Sequence, residues 1–343
     1  MRSPYRTIIV LLVAIVLVAL FLWNVDVAGV LRSIIRAHPG WLLVSLGTML
    51  LNLFIRAWRW QYLLEPVGHV PFGSAFRATS VGFAARSVLP AAAGEMVRAY
   101  FLSRCERVSA TGAFATVILE RLLDMVTVLL LLGVYVLFFD HELAGANPTA
   151  LAAVKWAGVI AGAGAVAALV ALFVLAGDPA RFSRTLHKLE TVLPSRLAGL
   201  LARFAEKFAI GLGAIRRPSR LAVALAWSLP LWLVIAAGIW AVAVAFELPI
   251  SFFGSFLLVA FLTIGVTVPT PGAIGGFHEA FRLGATAFFG APNDAAVGSA
   301  IVLHLLSFGP ALLLGLFFAA HEGLNLGGMR RLVGGPQTNR ASP

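Results

Sequence analysis

Five residues, Glu120-Arg121-Leu122-Leu123-Asp124, interrupt an apolar stretch that runs from Ser109 to Phe139. Ionisable side chains in such a stretch are costly, and they either bind something or lock helices together. Arg121 and Asp124 are three apart and share a helix face. Glu120 and Asp124 are four apart, which sets two like charges near one face. A cation or a second arginine is expected between them. Arg86 is a further cation in an apolar run, one turn before Pro90. It calls for an anionic partner: a carboxylate of the Glu120 cluster, Glu95, or a lipid phosphate. Glu95 with Arg98 and Glu279 with Arg282 are two i,i+3 pairs, each just after a proline-glycine break. His278 stands beside the second pair, and His304 lies in the helix that follows. Arg77 is nearer an entrance and is expected to snorkel. Arg56-Ala-Trp58-Arg59-Trp60-Gln-Tyr62 combines arginine, tryptophan and tyrosine as membrane-interface anchors do, so Arg56 and Arg59 are assigned to head-group contact at that interface. Guanidinium and carboxylate groups in this pattern bind and orient anionic heads; a guanidinium fork grips phosphate bidentately.

Other chemistries are absent from the chain. No Gly-Lys dipeptide exists, so there is no Walker A loop. His278-Glu279 and His321-Glu322 lack the second histidine of a zinc helix. There is no Gly-x-Ser-x-Gly elbow. One cysteine, Cys105, makes neither an internal disulfide nor a thiolate metal site. No catalytic residue, metal or cofactor is assigned.

The elements that position these groups follow from composition. Of 343 residues, 60% are hydrophobic and 12% charged, with a mean hydropathy of +0.93. Soluble domains are about 45–50% apolar and about 25% charged. A soluble enzyme, a disordered chain and a disulfide scaffold are excluded, which leaves an all-α polytopic membrane protein. The net charge is +11, and all but Lys155, Lys188 and Lys207 of the 26 basic residues are arginine. No basic soluble module interleaved with aromatics is present, so nucleic acid is not an expected partner.

A crossing helix needs about 20 apolar residues. Thr7–Trp23, Trp41–Trp60, Ser109–Phe139, Leu151–Ala176, Leu221–Phe246 and Asn293–Ala320 supply six. Asp178–Arg220 is rich in basic residues and the tail carries Arg330, Arg331 and Arg340. Asp140, Glu142 and Glu247 fall on the other side. The positive-inside rule then places both termini in the cytoplasm. Two apolar segments remain, Phe72–Leu89 and Phe252–Val268. Each runs into a break: Pro90-Ala-Ala-Ala-Gly94, and Pro269-Thr-Pro271-Gly272-Ala-Ile-Gly275-Gly276. Two re-entrant helical hairpins are expected, with Pro90, Gly94, Pro271 and Gly275 at their tips. Broken backbone at membrane depth has to be covered by protein or a wet cavity.

The two segments resemble each other. The shared frame is Gly-Ser, apolar helix, Pro-x-x-x-Gly, Glu-x-x-Arg, long apolar helix. Gly73-Ser74 matches Gly254-Ser255, Pro90 matches Pro271 and Gly94 matches Gly275. Glu95-x-x-Arg98 then matches Glu279-x-x-Arg282 after three extra residues. Three crossings between the units make this an inverted repeat, the arrangement many transporters use around a midplane site. Unit one covers about 72–139 and unit two about 252–320. A cytoplasmic connector spans 178–220, the membrane domain 1–325 and a cytoplasmic tail 326–343.

In order and spacing, Arg59-Trp60-x-x-Leu63-Leu64, Val88-Leu89-Pro90-x-x-x-Gly94-Glu95-x-x-Arg98, Glu120-Arg121-x-x-Asp124 and Pro269-x-Pro271-Gly272-x-x-Gly275 with Glu279 are similar to the lysylphosphatidylglycerol synthase transmembrane, or flippase-like, family (UPF0104). The resemblance covers about residues 5 to 325. It implies a protein of the bacterial inner (cytoplasmic) membrane, or its archaeal counterpart, that moves a polar-headed lipid between leaflets. Only a short tail follows Ala320, so lipid aminoacylation by this polypeptide is not expected. The reading is a flippase- or scramblase-like lipid translocase in which Arg86, Arg98 and Arg121 contact the head-group phosphate. Glu95, Glu120, Asp124 and Glu279 orient those arginines or bind an amine, and Arg282, paired with Glu279, is counted with them as substrate-binding. The alternatives are an ion-coupled transporter of a soluble anion, or a membrane enzyme or enzyme partner in glycolipid or hopanoid assembly. Expected partners are membrane lipids with anionic or zwitterionic heads, a neighbouring lipid-synthesis enzyme, and a second copy in a homodimer.

Overall fold

The computed structural model describes residues 25–88, 93–139, 218–268 and 270–322, together with isolated helical positions between 149 and 170. The described chain is helical. In order come α1 (Val27–Arg36), α2 (Pro39–Leu64), α3 (Phe72–Val88), α4 (Ala93–Cys105), α5 (Ala110–Phe138), α6 (Pro218–Ala245), α7 (Gly254–Thr267), a 3-10 turn (Pro271–Ala273), α8 (Gly276–Phe289) and α9 (Asn293–His321). Among the described residues α2, α5, α6 and α9 are long and apolar enough to cross a membrane. Thr7–Trp23 lies outside the described residues, and Leu151–Ala176 is described only at isolated positions.

Local chemistry sets the ends. Pro39 opens α2 at a position whose N–H would have no helical partner. The Ser109 hydroxyl caps α5 by accepting from the Gly112 N–H at 2.9 Å. Gly290, at φ 64°, closes α8 in the left-handed conformation that a glycine tolerates. The Asp26 carboxylate caps α1, a helix the sequence reading did not assign.

The two unassigned apolar segments form α3 and α7. Each is followed by a second short helix, α4 or α8, and then by a long one, α5 or α9. The 14 residues of α7 and of α8 rise about 21 Å each, short of the ~30 Å hydrocarbon thickness. The arms of each short pair meet at glycines. A Cβ on Gly94 would lie 2.5 Å from the Gly82 carbonyl oxygen, and one on Gly265 or Gly276 would overlap the other's carbonyl. Small residues admit such backbone approach. The pairs also meet the opposite long helices: α9 packs on α3, where Gly315 lies against the Ser80 carbonyl, and α7 packs on α5. The turn after α7 reaches the end of α3, where Gly272 faces the Ser87 carbonyl.

The buried apolar residues fall into two clusters. One gathers Trp60, Leu63, Leu64, Phe101, Leu102, Leu119, Leu123 and Ala224. The other gathers Met49, Val128, Leu131, Tyr135, Ile239, Phe281 and Leu303. Along α2, α5 and α6 the sequence passes from one cluster to the other through a polar stretch: Arg56 and Arg59, then Glu120 and Asp124, then Ser228 and Trp232. A layer of charge thus separates two oily cores.

Candidate functional site

Asp124 stands midway along α5, fourteen residues from either end. Glu120 precedes it by one turn, and both are buried. The amphipathic face of α2 supplies the opposing charge. Its buried positions Met49, Leu53, Arg56, Trp60 and Leu63 recur every three or four residues, and Arg59 joins that face. Arg56 is 4% exposed and Arg59 is fully buried. This corrects the interface assignment of both arginines. The helix extends past Trp60 to Leu64 and turns these side chains inward, where two carboxylates need compensation.

Arg56 Nη1 donates to Glu120 Oε1 at 3.2 Å and to Asp124 Oδ2 at 3.1 Å. It stands between the two acids, where a cation or a second arginine was expected. Arg59 Nη2 lies 2.7 Å from Asp124 Oδ1, and its Nη1 donates to the Ser228 hydroxyl at 2.6 Å. Arg98, from α4, donates to Glu120 Oε1 at 3.1 Å, and its guanidinium carbon sits 3.7 Å from the centre of the Trp60 ring. That stacking is a cation–π contact in a desolvated setting. Trp60 is itself fixed by donation to the Thr116 hydroxyl at 3.0 Å. Arg121 pairs with Glu120, with Asp124 at 3.3 Å and with Glu95 at 3.4 Å. Trp232 of α6 donates its indole N–H to Asp124 Oδ1 at 3.0 Å.

Arg86, on the last turn of α3, has no ion pair or side-chain hydrogen bond among the described residues. With Thr79, Phe83, Glu95, Arg98 and Arg121 it lines a cavity of about 20 Å³ between α3 and α4. Gly82 and Gly94, the crossing point of the two arms, border the same space.

The structure therefore brings Arg56, Arg59, Arg98, Glu120, Arg121 and Asp124 into one buried cluster, with Arg86 and Glu95 at its border. Glu279 and Arg282 stand apart. They pair with each other, and Arg282 donates to Asn293 Oδ1 at 3.1 Å. Their match to Glu95 and Arg98 in the sequence frame does not carry into the packing. The glycine crossings align Gly82 with Gly265 and Gly94 with Gly276. Ala280, not Arg282, then meets Gly265 as Arg98 meets Gly82. Pro271 and Gly275 flank the turn after α7, where Gly272 and Gly275 have φ of 62° and 89°. His304 donates from Nε2 to the Gly272 carbonyl at 2.8 Å, and the His278 ring lies 4.5 Å from the His304 ring, tilted by 34°. Pro90 lies outside the described residues.

Ser228, Trp232 and Gly82 were not foreseen. Ser228 and Trp232 are four apart on an otherwise apolar helix, which was the available signal for a shared inward face. Among the described residues no three of His, Cys, Asp and Glu gather as a metal site.

Comparison with known proteins adds the family. The model for the lysylphosphatidylglycerol synthase transmembrane region matches residues 7–315. The chain belongs to this family. A UPF0104 membrane protein of Methanocaldococcus jannaschii is 24% identical over 122 residues, 35% of this chain and 36% of its own length. Another, from Methanothermobacter thermautotrophicus, is 29% identical over 144 residues, 40% of this chain and 42% of its own. The alignments thus span about two fifths of these relatives or less. Membership of the lysylphosphatidylglycerol synthase transmembrane family and the long apolar helices make this a multi-pass membrane protein. In this family member the charged cluster sits halfway along a crossing helix, with apolar cores on both sides.

Proposed function

We propose that the protein is a lipid translocase of the cytoplasmic membrane, moving a polar-headed phospholipid between leaflets, with both termini on the cytoplasmic side. One observation carries this reading: a cluster of guanidinium and carboxylate groups at the midpoint of α5, bordered by two short helices that meet at glycines. Hydrocarbon rejects such groups strongly, and charges held at that depth mark a functional site by default. Helices too short to cross, joined by an irregular turn, are the form in which substrate sites are built at membrane depth. The head group passes through the polar layer while its chains stay in the surrounding lipid. α3/α4 and α7/α8 act as two re-entrant hairpins of an inverted repeat, and their rocking against the long helices alternates access.

The test is reconstitution of the purified protein into liposomes carrying a fluorescent phospholipid, with dithionite reduction of the outer leaflet. Translocation bleaches the inner pool as well, so the signal falls toward zero instead of stopping at about half. Arg98→Gln and Arg121→Gln are expected to slow that second phase. A wild-type signal that stops with empty liposomes removes the reading. Uptake of a soluble phosphate ester into the same vesicles would favour the soluble-anion transporter.

A further inference from the structure

The translocase reading leaves the charge of the head group open, and the cluster's own balance bears on it. Arg56, Arg59, Arg98 and Arg121 face two buried carboxylates, Glu120 and Asp124, while Arg86 and Glu95 add one charge of each sign at the border. Five guanidiniums against three carboxylates leave two positive charges in excess. Hydrogen bonding is unbalanced in the same direction. Among the described residues Arg56 Nε, Arg59 Nε, and Arg98 Nε and Nη2 are buried without a hydrogen bond, against one such carboxylate oxygen, Glu120 Oε2. Buried donors of this kind seek acceptors. Glu120 and Asp124 are each engaged by at least three arginines. An ammonium approaching Glu120 Oε2 would therefore stand among more like charges than opposite ones.

Resting on the translocase reading, we infer that the α3/α4 cavity is a phosphate seat for net-anionic lipid heads, gripped by Arg86 and Arg98, and that it refuses heads with a net positive charge. Arg86 reaches the cavity with no ion pair of its own among the described residues, and Arg98 brings two unbonded nitrogens. A guanidinium pair matches phosphate oxygens in geometry and charge. The cavity, at about 20 Å³, admits one group of water size, such as a single phosphate oxygen. Seating a whole phosphate requires the arms to part at the Gly82–Gly94 crossing. The carboxylates position the arginines and are not the amine receptor.

The experiment is binding to the purified full chain in nanodiscs of phosphatidylcholine, read by native mass spectrometry. Phosphatidylglycerol, phosphatidic acid and lysyl-phosphatidylglycerol are added in turn, with glycerol 3-phosphate as the soluble arm. Phosphatidylglycerol and phosphatidic acid are expected to bind about tenfold or more tighter than lysyl-phosphatidylglycerol. Arg86→Gln should abolish that preference and Arg86→Lys restore part of it, with thermal melting showing that both variants fold. Equal or tighter binding of lysyl-phosphatidylglycerol overturns the inference. So does a preference that survives Arg86→Gln. Binding of glycerol 3-phosphate as tight as that of phosphatidic acid overturns the lipid source. Translocation without head-group preference would remove this inference and leave the translocase standing; head-group-selective binding without translocation would do the reverse.

Discussion

Arg59 Nη2 and Asp124 Oδ1 stand 2.7 Å apart with both side chains out of solvent, and they tie α2 to α5 across the layer between the two apolar cores. A buried pair of this kind adds little over a well-packed apolar pair, but breaking it strands a charge at a cost of about 3–5 kcal/mol. Arg59→Leu and Asp124→Leu are each expected to lower the melting temperature of the detergent-solubilised protein sharply. The double variant is expected to lower it by less than the sum of the two. Additive losses would mean that the pair is not coupled.

The glycine crossing gives a second expectation. A Cβ on Gly94 would lie 2.5 Å from the Gly82 carbonyl oxygen and 2.7 Å from Arg86 Cβ, so Gly94→Ala has to push the arms apart. Overpacking of this sort costs about 1–3 kcal/mol or more. Gly47, inside α2, has nothing within 4 Å of its would-be Cβ. Gly47→Ala is therefore expected to stabilise by about 0.5–1 kcal/mol. Parallel thermal melts of the two variants check the contrast, and two shifts of the same sign would contradict it.

The sequence carried the charge cluster further than it carried its walls. The spacing of Glu120 and Asp124 asks for a cation or a second arginine between them, and α5 presents both acids to Arg56. The break after α7 was legible because Pro271, Gly272 and Gly275 fall within five residues, whereas a single proline, Pro230 or Pro310, is carried inside α6 or α9. Arg56 and Arg59 were misplaced because an arginine-tryptophan-tyrosine cluster has the same composition at an interface as in an interior. Only the three- and four-residue recurrence back through Leu53 and Met49 separates the two. The Glu279–Arg282 match failed for a related reason. It aligned charges, whereas the packing aligns the glycines where backbones cross, Gly82 and Gly94 with Gly265 and Gly276. Contacts from α6, such as Trp232 on Asp124, join residues 108 positions apart and leave no local trace.

The turn after α7 has its own support. Gly272 and Ala273 have φ of 62° and 57°, and Ala273 pays a steric penalty there that glycine escapes. His304 donates to the buried Gly272 carbonyl at 2.8 Å and so holds the turn in place. His304→Phe keeps a ring beside Phe308 and His278 but leaves that carbonyl unsatisfied, at a cost of about 1–3 kcal/mol. His304→Gln, which retains a donor, should recover part of the loss. Thermal melts of the detergent-solubilised variants are expected to rank wild type above His304→Gln and His304→Gln above His304→Phe; equal melting of the two variants would contradict the role of the donor.

Helix α1 is the last element whose surroundings can be read from its faces. Val27, Leu31 and Ile35 recur every four residues and are 74%, 56% and 73% exposed, while Val30 turns inward. Arg32 pairs with the capping Asp26, and Arg36 closes the final turn. An apolar stripe flanked by arginines suits a helix lying in the membrane interface, chains of lipid below and phosphates beside it. Cys105 is the single cysteine, so a Cys105→Ser background with Leu31→Cys or Arg32→Cys admits one spin label at a time. The label at position 31 is expected to be reached by oxygen, which concentrates in lipid, and shielded from a water-soluble nickel chelate. The label at position 32 should show the opposite order. Equal access of the chelate to both would place α1 in bulk water, and its outward valine, leucine and isoleucine would then need a protein to cover them.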